Sequence, residues 1–172
     1  MLPKIQNVLY ATDLSRNSAY AFRYAVNTAR KHDAKIHILH VIEPLSPQTE
    51  ALLLMHLDHK KLDRLKQDSE EKMHRRIEER LKQFAEKELK DDPETLKRVV
   101  GIHIVQGDPA TEILNKTDEC GCDTIIMGTH GKGAISHAFL GSVSERVLRR
   151  IRKPVYIIPL PKGETDITLG DV

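Results

Sequence analysis

Tryptophan is absent from this 172-residue chain, aromatic residues make up only 4% of it, and there are two cysteines. Each scarcity closes off a class of function. So few rings argue against a surface that stacks nucleic-acid bases. Cys120 and Cys122 alone cannot supply a disulfide framework. No apolar run approaches the roughly 20 residues that a membrane span requires. Basic residues number 27 against 25 acidic ones, a formal net charge of +2, so nothing demands a polyanionic partner. The opening MLPKIQNVLYATD is too short and polar for a signal peptide. The expectation is a soluble, cytoplasmic, single-domain protein that binds neither membrane nor nucleic acid. A chain of this length buries roughly two-thirds of its unfolded surface.

What is present is an alternation. Residues 5–11, 36–42, 99–105, 124–127 and 154–159 read as strands, nearly continuous in apolar residues, as expected when both faces of a sheet are covered. Ser15 is a fitting N-cap for a helix over 16–32, where Ala19, Phe22, Ala25, Val26 and Ala29 recur at helical spacing. Asp108-Pro109 opens another that runs to about residue 119, and a further helix is expected over 142–152. Strand and helix alternating in this way predict an α/β fold: a single open parallel five-stranded sheet with helices on both faces. The domain is expected to span 1–161, followed by a polar tail, 162–172. Between the second and third strands lies a long insert, about 46–92. Over 50–89 it carries Leu62, Leu65, Met73, Ile77, Leu81 and Phe84 among many Lys, Arg and Glu residues. That pattern predicts a long crossover helix packed on the sheet and projecting past it. The alternative is a partner-binding or coiled-coil arm, although Ser69 interrupts its seam.

The most informative stretch is GTHGKGAISHAFLGS, from Gly128 to Ser142, which holds four of the nine glycines. It follows the strand TIIM and opens a helix. Glycine lets backbone approach a ligand closely, and the amides of a helix N-terminus point at negative charge. In an open parallel sheet, ligands bind beyond the carboxyl ends of the strands, where strand order reverses. A strand order of 3-2-1-4-5, which spacing alone does not dictate, would set Ala11, Thr12 and Asp13 beside Gly128. Backbone amides of Gly131, Lys132, Gly133, Gly141, Ser142 and Val143, with the hydroxyls of Thr129, Ser142 and Ser144, would then hold phosphates. Val41 and Met127 would bracket a base. Asp13 would take a ribose hydroxyl or a phosphate-bound Mg or Mn ion, or simply cap the turn into the first helix. His130 and Lys132 would touch phosphate or stay solvated.

The spacing Gly-two-Gly-nine-Gly-Ser, the first strand ending in TD and the closing KPVYIIP strand together resemble the universal stress protein family. The resemblance covers most of the chain, the insert least. It implies membership of the ATP-binding branch, whose motif positions are all filled here by Gly128, Gly131, Gly141 and Ser142. It also implies ATP (or ADP or AMP) as ligand and a homodimer paired through the last strand, Val155, Tyr156, Ile157 and Ile158. The apolar character of that strand independently makes it a candidate for pairing with another chain. The hydrolase phosphate loop is absent, because Gly133 follows Lys132, and no GxGxxG follows the first strand.

Several smaller features read blandly. His40 in its strand is a packed histidine. His56 and His59, close to Asp58 and Asp63, are a solvated helix start rather than a metal cluster. Cys120 and Cys122 mark a helix end with one thiol tucked inward. Arg146, Arg149, Arg150, Arg152 and Lys153 sit where cations ordinarily complement a helix C-terminus. The function expected is therefore nucleotide-dependent stress response or signalling. Slow ATP hydrolysis or nucleotidyl transfer on the same fold, and an adaptor role for the long charged helix, stand as alternatives.

Overall fold

The structure is a computed structural model and describes residues 2–129 and 140–161. Five strands form one parallel sheet: β1 (Asn7–Ala11), β2 (Lys35–Ile42), β3 (Val99–Gln106), β4 (Thr124–Gly128) and β5 (Val155–Ile158), in the order β3-β2-β1-β4-β5. The expected order is thus the observed one, and the chain reverses direction of travel across the sheet between β1 and β4.

Capping chemistry sets the helices. Helix α1 (Arg16–His32) begins at Ser15, whose side chain accepts from the Ser18 amide at 3.2 Å. It ends at Asp33, which takes the left-handed conformation at φ 55°. Helix α5 (Pro109–Glu119) starts with Asp108 accepting from the Thr111 amide at 3.1 Å. Helix α6 (Ser142–Arg150) starts after Gly141 and stops two residues short of the expected end.

The insert is not one helix. It contains α2 (Pro47–Leu54), α3 (His59–Glu88) and the single turn α4 (Pro93–Leu96). The break falls where Asp58 caps α3, accepting from the Lys61 amide at 2.8 Å, while Ser46 and Pro47 give α2 its own start. His56 and His59 therefore flank a cap, as their bland reading expects.

Side chains alternate across the strands into two apolar layers. One contains Val8, Tyr10, Ile36, Ile38, Ile126 and Ile158 and is covered by α1 and α3; the other contains Leu9, Ala11, Leu39, Ile125 and Met127 and is covered by α5 and α6. An aromatic chain ties α3 down: Tyr10 lies 5.1 Å from Phe22, and Phe22 lies 5.2 Å from Phe84, between ring centroids. The ion pair Arg23–Glu88, 3.0 Å, adds to this. Among the described residues of α3, the buried ones lie in its second half. Leu81 and Ala85 are buried, whereas Leu65 and Met73 are exposed. The expectation of a crossover helix that packs and then projects describes this arrangement.

Candidate functional site

At the reversal between β1 and β4, local hydrogen bonding shapes every strand end. Tyr10 pairs with Ile126, so continuing that register one residue sets Ala11 beside Met127. Thr12 is buried: its amide donates to the Leu39 carbonyl at 2.9 Å, and its hydroxyl shares a 2.9 Å bond with Ser18 and accepts from the Leu14 amide at 3.0 Å. Asp13 accepts from the Ser15 amide at 3.0 Å through one carboxylate oxygen. The turn-capping role of Asp13 is therefore real, and it draws Leu14 into the left-handed region at φ 65°. His40 is half-buried, with Nδ1 2.7 Å from the Thr12 carbonyl oxygen, so it braces this turn.

Across the crevice, Gly128 ends β4. A Cβ there would lie 2.8 Å from Asn17 Nδ2, closer than side chains tolerate, so α1 can sit against β4 only because this residue is glycine. Asn17 Nδ2 donates to the Thr129 hydroxyl at 3.1 Å. The Thr129 amide donates to the Ile158 carbonyl at 3.1 Å, and its carbonyl accepts from the Gly141 amide at 2.7 Å. The two ends of the glycine segment are thus clamped together. Ser144 is buried, and its hydroxyl donates to the Gly128 carbonyl at 3.0 Å, which ties the first turn of α6 to the strand end. Gly141, as N-cap, contributes no side-chain cap, and Ser142 and Val143 follow it in the first turn. The segment His130, Gly131, Lys132 and Gly133 lies outside the described residues.

Val41 and Met127 both pack with the α5 and α6 layer, with β1 between their strands, so they form parts of one floor. A cleft of about 320 Å³ opens on the other side of the β2 end. It is walled by Leu14 and residues His40 to Glu43 on one side and by Met73, Arg76, Ile77 and Arg80 of α3 on the other. Burial, and then the neighbouring Arg76, lowers the pKa of Arg80 below its ordinary value. The two arginines were absent from the sequence expectation. The one available signal was their i, i+4 spacing beside the Met73 and Ile77 stripe, which placed them near the packed face.

The basic cluster at the end of α6 is largely engaged within the fold. Arg146 forms a two-pronged pair with Asp108 at 2.7 and 2.8 Å, Arg149 bonds Glu145 at 2.6 Å, Arg150 donates to Thr111 at 3.1 Å, and Lys153 bonds Asp118 at 3.0 Å. Those contacts favour the structural reading of this patch. Among the described residues, no helix is long and apolar enough to cross a membrane.

The family profile described as "Universal stress protein family" matches residues 4–159, nearly the whole α/β unit and all the strand ends just described. The chain belongs to the universal stress protein family. Among its relatives, universal stress protein MJ0577 of Methanocaldococcus jannaschii is 29% identical over 156 residues, covering 89% of this chain and 94% of that one. Universal stress protein YxiE of Bacillus subtilis is 30% identical over 152 residues, covering 88% and 97%. The solved structure of MJ0577 superposes with a TM-score of 0.63 at 24% identity, covering 94% of this chain and all of that one. A universal stress protein solved in complex with cAMP gives 0.50 at 20% identity, covering 91% and 98%. These structural likenesses carry the fold. In this universal stress protein the helical insert supplies Arg76 and Arg80 to the cleft.

Proposed function

We propose that this universal stress protein is a cytoplasmic adenine-nucleotide-binding factor whose stress-response or signalling output depends on nucleotide occupancy. The observation that carries the reading is the clamp at Gly128. The glycine segment leaves β4 and re-enters at Gly141 with its ends joined, and an N-cap without a side chain opens α6 toward the same point. Such a helix start receives phosphate without a competing cap. In this reading the amides of Gly131, Lys132, Gly133, Ser142 and Val143 and the hydroxyl of Ser142 hold the phosphates. Ser144 acts by fixing the strand end. Thr129 and Thr12 shape the crevice. Asp13 takes the ribose or a phosphate-bound Mg or Mn ion. Ala11, Val41 and Met127 supply the apolar floor, and His130 contacts phosphate. The cAMP complex of a fellow family member supports an adenine ligand. The protein would work as a homodimer joined along β5, which among the described residues pairs with β4 on one side and with no strand on the other.

A ligand at a hundredfold excess over its dissociation constant stabilises the folded chain by about 2.7 kcal/mol. At about 2–4 °C per kcal/mol for a chain of this size, ATP with Mg²⁺ should raise Tm by about 5–11 °C. The Gly131→Val variant should show almost none of this rise. An unchanged Tm for the wild-type protein at millimolar nucleotide overturns the reading.

A further inference from the structure

A second group of donor atoms lies on the α5 side of the sheet, at the β2–β3 edge. It is level with Leu9, four residues before Asp13 along β1, a separation of about 13 Å at strand rise. His37 on β2 stands opposite Gly101 on β3, and His103 is two residues further along β3. Because residue 101 has no side chain, the two imidazoles meet over it. A Cβ there would lie 2.7 Å from His103 Nε2 and 3.4 Å from His37 Nδ1. The two nitrogens are 3.2 Å apart. Cys120, at the C-cap of α5, places Sγ 3.8 Å from the same His103 nitrogen. All three donor atoms lie within 4.8 Å of one another, and all three residues are half-buried.

Hydrogen bonding alone does not account for this convergence. One imidazole nitrogen offers either one N–H or one lone pair, so His103 Nε2 can satisfy only one of the two partners that face it. A cation between them serves all three. With Zn–N about 2.05 Å and Zn–S about 2.3 Å, a tetrahedral ion separates nitrogen ligands by about 3.3 Å and nitrogen from sulfur by about 3.6 Å. The observed 3.2 and 3.8 Å fall beside those values. We propose that His37, His103 and Cys120 bind zinc or a similar late first-row divalent cation, with solvent at the fourth position. Imidazole and thiolate donors suit such ions, while magnesium and calcium require oxygen. On binding, the sulfur–metal bond replaces the Cys120 S–H, and the proton passes to solvent. The ion would join β2, β3 and the α5 end, pinning both ends of the excursion that carries α2, α3 and α4.

The test is metal titration of the full-length, chelator-treated protein, with zinc in a competing chelator buffer and with cobalt as a spectroscopic probe. One zinc per chain is expected, and the cobalt form should show a thiolate-to-metal charge-transfer band with tetrahedral d–d bands. Replacing an outer-sphere partner in metal sites typically weakens binding 10- to 100-fold, so loss of a ligand itself in Cys120→Ala or His37→Ala should exceed about a hundredfold. Gly101→Ala, which keeps all three ligands, should also weaken binding. The double variant His56→Ala/His59→Ala should bind as the wild type does. Absence of stoichiometric zinc binding by the wild type, or a charge-transfer band that persists in Cys120→Ala, overturns the proposal. The wild-type cobalt spectrum decides the matter even where a variant fails to fold.

Discussion

Gly128→Ala is the sharpest single perturbation of the strand-end geometry. The new methyl would lie 2.8 Å from Asn17 Nδ2 and 3.0 Å from its Cγ. The amide cannot simply swing aside, because Asn17 is buried and its Nδ2 is bonded to Thr129. Overpacking of this kind costs about 1–3 kcal/mol. For a chain of this length that corresponds to a fall in Tm of about 2–12 °C. Asn17→Ala alone loses the hydrogen bond to Thr129, worth about 1 kcal/mol. Since the methyl then has room, Gly128→Ala/Asn17→Ala should be hardly less stable than Asn17→Ala. The double-mutant cycle should therefore show a coupling of about 1 kcal/mol or more, measured by denaturant unfolding of all four proteins. If the two single losses add to within about 0.5 kcal/mol, the contact is not what makes glycine necessary here.

Three further outcomes follow from the packing. Leu81→Ala removes a buried side chain and should cost about 2–5 kcal/mol, whereas Leu65→Ala on the projecting half of α3 should stay within about 0.5 kcal/mol; equal losses in urea unfolding would deny that the helix is packed over only half its length. The paired Arg146 guanidinium and the Thr111 hydroxyl bring the Asp108 carboxyl down to about 2. Because the folded value lies below the unfolded one, the stabilisation is present above about pH 4 and is lost as pH falls toward 2. NMR titration of Arg146→Ala should find Asp108 moved back toward the ordinary carboxylate range, and an unmoved midpoint would contradict the assignment. Tyr156 is exposed on the edge strand, so Tyr156→Lys should shift a β5-paired dimer toward monomer in sedimentation analysis; a monomeric wild type would remove the proposed assembly.

Much of the architecture was legible because its causes are short-range. The apolar runs, Ser15 before α1 and Asp108-Pro109 before α5 act within a few residues, and the structure places those elements within a residue or two of their expected bounds. The break between α2 and α3 rests on equally local chemistry, Ser46-Pro47 and the Asp58 cap, but the apolar stripe from Leu62 to Phe84 says nothing of where its helix begins. At the candidate site, the glycines and Asp13 announced themselves through spacing. The engagement of Ser144 with Gly128, and of Asn17 with both Gly128 and Thr129, did not, since each depends on how α1 and α6 lie against β4.

The amino-acid order by itself determined the alternation of strands and helices, the parallel sheet and the glycine segment opening a helix, because periodicity and capping act on neighbouring residues. Tertiary structure alone decided which half of the α3 stripe is buried, since that depends on where the sheet ends. It alone brought Arg76 and Arg80 to the cleft. It alone gathered His37, His103 and Cys120, which lie far apart in the chain and meet through the β2–β3 register, with its shift at Ile36 and His37, and the docking of the α5 end. A strand register is a relation between distant segments, and no local pattern of residues encodes it.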